Sequence, residues 1–269
     1  MPYSKRNYSK ENPLYDHTAD DPFYLFLNPD NYLLDIPHYH ESLELIFLLS
    51  GKAKAHLSGS EYDLEAGDIF ITNRKLVHFY ENFDMEKQCF IVVLSNKYTH
   101  DFRQVYPNAH FPPLLNDKEK NRRLFALVQE WVALNDRTFL KDCAYANLFL
   151  DMLIKLYHFA DGELQNTMNG NAIQFINYIN ENYMHNISLE IAAQHFGYSR
   201  EYFSKIFKRT VGKNFLSFLS AVRTEKAIEL LSDPDNTLSF SQVCTACGFN
   251  NPAALYRHLK KTKKTQEKN

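Results

Sequence analysis

The sequence predicts an α+β protein of two domains: a small antiparallel β-barrel with two flanking helices, followed by an all-helical C-terminal domain. Three observations carry this. Short β-rich runs crowd residues 24 to 94, the apolar period lengthens from two to three or four near Asp117, and a two-helix unit recurs in the C-terminal third. With 269 residues, 45% apolar and 14% aromatic, the chain can fill two cores.

Residues 1–22 lack a strong period and are expected to form an N-terminal arm. Residues 23–110 hold the barrel. Its runs are Tyr24 to Leu27, Leu43 to Leu49, Ala53 to Leu57, Glu61 to Leu64, Asp68 to Thr72, Val77 to Tyr80 and Gln88 to Leu94, with Ser-Gly, Ala-Gly and Asn-Arg-Lys breaks between them. In residues 111–160, Leu124, Leu127, Val128, Trp131 and Leu134 recur at helical spacing. Leu148, Leu150, Met152, Leu153, Leu156 and Tyr157 do so again, which predicts two amphipathic helices. The stretch 161–171, DGELQNTMNGN, is polar with two glycines and is expected to be a linker. Residues 172–269 are helical in pattern throughout.

The N-terminal stretch MPYSKRNYSKENPLYD has no apolar core, and no later run approaches the roughly 18 apolar residues of a membrane helix, so a cytoplasmic protein without membrane contact is expected. Cys89, Cys143, Cys244 and Cys247 are too scattered for a disulfide framework and are read as reduced. The formal net charge of −2 divides into −7 over residues 1 to 169 and +5 over residues 170 to 269. A basic C-terminal third is a weak pointer to nucleic acid, since cations placed against phosphates release counterions.

The repeat is more specific. Ala193-Gln-His-Phe-Gly197-Tyr198 and Cys244-Thr-Ala-Cys-Gly248-Phe249 each place a small residue four positions before a glycine that precedes an aromatic. This is helix-turn-helix spacing: the small residue admits a second helix, and glycine adopts the turn conformation that other residues resist. Ser199 can cap the next helix in the first unit, and Asn251, with Pro252 at the first helical position, in the second. The units are expected at about 187–210 and 238–262, joined by a helix over Phe215 to Leu231 about 25 Å long, a spacer suited to the ~34 Å repeat of DNA.

Within the second helices, Phe203, Ile206, Phe207, Leu255 and Leu259 take core positions. Arg200, Glu201, Ser204, Lys205, Lys208 and Arg209 then point outward in the first unit, and Ala253, Tyr256, Arg257, Lys260 and Lys261 in the second. Lys205 and Arg257 fall at equivalent places, where a cation can donate to guanine. Lys208, Arg209, Lys260 and Lys261 lie further along and suit phosphates.

At these residues the chain resembles the AraC/XylS family of regulators. The match runs through Ile187-Ser-Leu-Glu, Ala193 to Ser199, Phe203-Ser-Lys-Ile-Phe-Lys-Arg-Thr-Val-Gly212, Arg223-Thr-Glu-Lys-Ala227 to Leu231, Gly248-Phe249 and Tyr256-Arg257, about 90 residues from Ile173. The resemblance implies binding to two successive major grooves of double-stranded DNA, a structural or backbone-contact role for Arg223, and a homodimer formed through the helices of 111–160. RNA polymerase is a further candidate partner. The sequence departs from the family at Ala254, at Leu259 and over residues 260–269, which replace the family's usual ending.

A second resemblance lies upstream. His38-Tyr-His40 with Glu44 and Gly51 matches the first cupin motif in spacing; Gly67, Asn73, His78 and Asn82 match the second, with Asn73 and Lys75 replacing a proline and a glycine. It implies a small β-barrel with these side chains at one mouth. His38, His40 and Glu44 alternate along extended chain and can share one face with His78, as either a hydrogen-bonding wall around an effector or a three-His, one-carboxylate metal site. Tyr80 joins them as a ligand-binding candidate; Tyr39, Lys54, His56 and Arg74 are further donors. No cofactor is expected beyond that divalent-metal alternative. Cys244 and Cys247, at i and i+3, are read as buried thiols.

The expected protein is therefore a non-enzymatic, sequence-specific transcription regulator whose barrel binds a small polar effector such as a sugar. The alternative is a metal-dependent cupin enzyme, an isomerase or dioxygenase, with a helical C-terminal domain.

Overall fold

A computed structural model describes residues 23–26, 36–81, 88–136, 138–161 and 167–268. The expected arm, 1–22, lies outside the described residues, as do Asn82 and residues 162–166 of the expected linker. The chain divides into two compact units, one built on His38–Gln165 and the other on Asn166–Asn269.

In the first unit, strands β1 (Phe23–Phe26), β2 (Leu43–Ser50), β3 (Lys52–Leu57), β4 (Ser60–Glu65), β5 (Ile69–Thr72), β6 (His78–Glu81) and β7 (Gln88–Leu94) coincide closely with the seven β-rich runs. Helix α1 (Asn96–Val105), the two-residue strands β8 (Ala109–His110) and β9 (Leu114–Leu115), helices α2 (Lys118–Val132) and α3 (Phe139–Leu156), and β10 (Ala160–Asp161) follow. Two antiparallel sheets form, in the orders β1-β7-β2-β5-β9 and β4-β3-β6, with β8 and β10 as a separate pair.

Strand β2, LELIFLLS, is central, and its alternation divides two cores. Leu43, Leu45 and Phe47 join Ile69, Ile71, Phe90, Val92 and Leu94 against Leu124, Val128, Trp131, Phe149 and Leu153 of α2 and α3. Glu44, Ile46 and Leu48 face the opposite way, toward the three-stranded sheet. Asp117 and Thr138 cap α2 and α3 by accepting from Lys120 N and Lys141 N. Trp131, fully buried, donates from Nε1 to Asp142 Oδ1 at 2.8 Å, so its one polar atom is satisfied.

Helix α1 is a correction to the expectation of barrel alone over 23–110. Its sequence NKYTHDFRQV is largely polar; it rests on Tyr98 and Thr99, buried against its neighbours.

The second unit contains α4 (Thr167–Asn182), α5 (Leu189–His195), α6 (Arg200–Val211), α7 (Phe215–Ser232), α8 (Phe240–Ala246) and α9 (Pro252–Lys268). The linker expected over 161–171 is helical from Thr167. Ala172, Phe175, Ile176 and Ile179 are buried at helical spacing, and burying them outweighs the roughly 1 kcal/mol that Gly170 costs inside a helix. Phe175, Phe196, Phe203, Phe207, Phe215 and Phe218 stack into one aromatic core for α4 to α7. The second core is smaller: Ala227, Val243, Cys244, Cys247, Phe249 and Leu255, with Leu230, Ala254 and Leu259 partly buried. Helix α9 continues past the expected end near 262 to Lys268, because residues 261–268 contain neither glycine nor proline to stop it. Among the described residues, no helix is long and apolar enough to cross a membrane.

Candidate functional site

Two sites emerge, one per unit. In the second unit, α5 and α6 form the first helix-turn-helix, and α8 and α9 the second. Gly197 and Gly248 both take left-handed backbone, φ +71° and +75°, which a side chain would strain. Ser199 accepts from Tyr202 N and caps α6; Asn251 Oδ1 accepts from Ala254 N at 2.8 Å and starts α9. Ser239 and Gln242 cap α8 reciprocally.

These caps fix the rotation of each second helix. Phe203, Ile206, Phe207 and Leu255 turn inward and are buried. Arg200, Glu201, Ser204, Lys205, Lys208 and Arg209 on α6, and Ala253, Tyr256, Arg257 and Lys260 on α9, are all exposed. Tyr256 keeps 60% of its surface accessible, far more than an aromatic ring needs for packing alone. Arg200 is engaged with Glu190 at 2.9 Å, a surface pair of little strength that a phosphate can displace. The side chain of Lys261 lies outside the described residues.

Cys244 and Cys247 are 1% and 0% exposed. Burial pushes the Cys247 thiol up to about 11 and raises Cys244 as well, and Cys244 Sγ donates to Phe249 O at 3.6 Å. The pair packs the second core as protonated thiols; all four cysteines are free.

In the first unit, β2, β6 and the preceding loop bring His38, His40, Glu44 and His78 together. One ligand atom from each lies within 4.8 Å of the others. All four are 5% exposed or less. His38 and His78 exchange both backbone hydrogen bonds, 3.0 and 2.9 Å, and their rings lie 4.1 Å apart. His40 Nδ1 stands 3.0 Å from Ser42 O and His78 Nδ1 2.9 Å from Leu76 O. A carbonyl only accepts, so each Nδ1 carries the proton and donates it there. Each Nε2 is thereby turned to Glu44: His40 Nε2 at 3.2 Å from Oε2, His78 Nε2 at 3.5 Å from Oε1. His78 Nε2 is buried without a hydrogen-bond partner.

Tyr80 donates to Glu44 Oε1 at 2.6 Å. Burial and the Glu44 charge push the phenol well above its usual range, so it remains a donor. Burial alone would raise the Glu44 carboxyl, but the His40 hydrogen bond and the adjacent His78 imidazole outweigh it and hold the group well below the usual carboxylate range. The site thus sets a carboxylate among convergent imidazole nitrogens.

A first-row divalent metal fits this donor set. Three imidazoles and a carboxylate are a common ligand combination, and Nδ1–H donation to backbone carbonyls is the outer-shell arrangement that aims Nε2 at an ion.

The other candidate donors lie elsewhere. Lys54 and His56 alternate with Ala55, which pairs with Tyr80, and so face away from the quartet; His56 stacks flat on Phe79 at 4.1 Å. Arg74 binds Glu41, at 3.1 Å. Asn73, which replaces the motif proline, exchanges 2.9 Å side-chain hydrogen bonds with both backbone groups of Phe111 and so ties the loop before β6 to the segment before β9. Ser42 and Leu76 were not legible as site residues, because they act through backbone carbonyls that any side chain would present.

Comparison with known proteins gives two domain matches: a helix-turn-helix domain over residues 192–265 and a cupin domain over residues 33–94. An uncharacterized HTH-type transcriptional regulator of Staphylococcus aureus (strain COL) is 23% identical over 228 residues, covering 81% of this chain and 30% of the relative. The uncharacterized HTH-type transcriptional regulator YdeC of Bacillus subtilis (strain 168) is 22% identical over 232 residues, covering 79% of this chain and 78% of YdeC. The chain therefore spans less than a third of the staphylococcal relatives. Among solved structures, an apo ToxT variant of Vibrio cholerae is similar over 90% of this chain and 94% of its own, with TM-score 0.46 and 14% identity. The DNA-binding domain of AdpA, solved with a target DNA, covers 34% of this chain and 79% of its own, with TM-score 0.32 and 26% identity. The chain thus carries a match to a cupin domain followed by a match to a helix-turn-helix domain, in the order that the sequence resemblances imply.

Proposed function

We propose that the chain is a sequence-specific DNA-binding transcription regulator, not an enzyme, with α6 and α9 reading successive major grooves. The observation that carries this is the repeated exposed face: Lys205 and Arg257 stand 52 residues apart at equivalent positions of two helices, each set by its own cap and glycine turn. The transcriptional role named for the relatives supports the same reading. The barrel binds a small polar effector, a sugar or related metabolite, through His38, His40, Glu44, His78 and Tyr80. A homodimer forms through α2 and α3, where Leu140, Ala144 and Leu148 are exposed at four-residue spacing along α3. Selection from a random duplex pool tests the DNA reading. An enriched site with two boxes about one turn apart is expected; recovery of unrelated sequences would remove it.

A second reading of the barrel is favoured by one observation: the quartet is nearly inaccessible while its Nε2 atoms converge on a carboxylate, an arrangement better suited to an ion than to a metabolite. His38, His40, Glu44 and His78 would then hold a divalent metal. Bound there, the metal would supply Lewis acidity toward an anionic or hydroxylated ligand. In this reading, elemental analysis of the purified protein finds about one metal per chain, and His78→Ala lowers that occupancy while leaving DNA binding unchanged. Metal-free protein that still selects DNA would leave the quartet as an effector wall. Stoichiometric metal with turnover of a sugar or phenolic substrate would make the barrel an enzyme.

A further inference from the structure

The two units of the repeat differ at their equivalent glycines. A Cβ added to Gly197 would meet nothing within 4 Å, so glycine is needed there for its backbone conformation alone. A Cβ on Gly248 would overlap the carbonyl oxygen of Tyr183 and stand 3.0 and 3.1 Å from Nε and Nη2 of Arg223. Arg223, on the linking helix α7, donates from Nε to Tyr183 O at 2.7 Å and from Nη2 to His185 O at 2.8 Å. Both carbonyls lie just past the end of α4, where the helix dipole favours a cation, and His185 O also accepts from Ile187 N at 2.9 Å. One guanidinium therefore binds three elements at a point: the segment leading from α4 into the first helix-turn-helix, the linking helix, and the turn of the second helix-turn-helix. The planar fork meets the two carbonyls from two nitrogens held in fixed geometry, whereas an ammonium would reach them from one freely rotating nitrogen.

We infer that Arg223, packed beneath Gly248, is a positioning residue that fixes the second reading helix relative to the first, so that recognition of two boxes depends on it and recognition of one does not. This rests on the DNA-binding reading for its consequence, and on the geometry of the second unit alone for its cause. The first unit has its own aromatic core and caps and needs no such contact. The second, with its smaller core, is oriented through α7 and this node.

The experiment has two arms, both on the full chain. In the first, nitroxide labels at Ser204→Cys and Lys260→Cys, in a Cys143→Ser background, report the α6 to α9 distance distribution by pulsed electron resonance without DNA. A single narrow distribution is expected, broadened by Arg223→Ala and partly broadened by Arg223→Lys. In the second arm, affinity is measured on a duplex carrying the selected two-box site and on the same duplex with one box scrambled. Arg223→Ala is expected to weaken two-box binding about tenfold and one-box binding less than about twofold. Gly248→Ala gives the same split, whereas Gly197→Ala weakens both duplexes. An unchanged distance distribution in Arg223→Ala overturns the inference whatever the DNA result, as do equal losses on both duplexes. If the parent protein selects no DNA, the regulator reading falls, while the distance arm still decides the node.

Discussion

Glu44→Ala is expected to destabilise the barrel by about 1–3 kcal/mol, the loss typical when buried polar groups are left without their acceptor. The carboxylate accepts from Tyr80 at 2.6 Å, stands 3.2 Å from His40 Nε2 and 3.5 Å from His78 Nε2, and is sealed from water with all three. Alanine leaves a phenol and two imidazole nitrogens buried without it, and little water can reach them. Trp131 is the only tryptophan and sits in the core that backs the five-stranded sheet, so its fluorescence reports this unit selectively. A fall in melting temperature of about 5 °C should appear in that signal. Glu44→Gln retains an acceptor for Tyr80 and should lose less than half as much. Tryptophan melts of Glu44→Ala and parent that coincide would mean that the quartet is not a closed network.

What the sequence made legible follows the strength of local physics. The main strands announce themselves as short runs between turn residues, continuous and apolar where both faces are buried, as in β2 and β5, and alternating where one face is exposed, as in β3. Helix α1 was hidden because its residues are mostly polar and it is held by packing on α3 rather than by its own period. The metal-type spacing of His38, His40, Glu44 and His78 was readable, since motif distance along an extended chain places side chains on one face. The ring orientations were not, because they are set by the Ser42 and Leu76 carbonyls, whose positions depend on loop shape. Lys54 and His56 illustrate the same limit: strand parity decides their face, and parity is known only once the register of β3 with β6 is known. In the C-terminal unit, capping residues and glycine turns are local and were read directly. The Arg223 to Tyr183 contact joins residues 40 apart and has no local signature.

Lys205→Ala and Arg257→Ala are each expected to reduce discrimination between the selected site and random duplex by about 1–3 kcal/mol, while Lys208→Ala weakens both DNAs alike and lowers the salt slope by about one. The difference follows from position on the helix. Lys205 and Arg257 project from the middle of the exposed faces of α6 and α9, with Phe203, Ile206 and Leu255 fixing the opposite side. A helix entering the major groove presents that line of residues to base edges, where a cation can donate to guanine O6 and N7. Lys208 lies a turn further on, where the groove wall is phosphate, and phosphate carries charge but no sequence. Because the two readers belong to separate units with separate cores, their losses should add within about 0.5 kcal/mol. The double variant should therefore retain only the nonspecific, salt-dependent component. Gel shifts on both duplexes across a salt series measure all of these quantities, and a Lys205→Ala loss of equal size on specific and random DNA would strip that residue of any base-reading role.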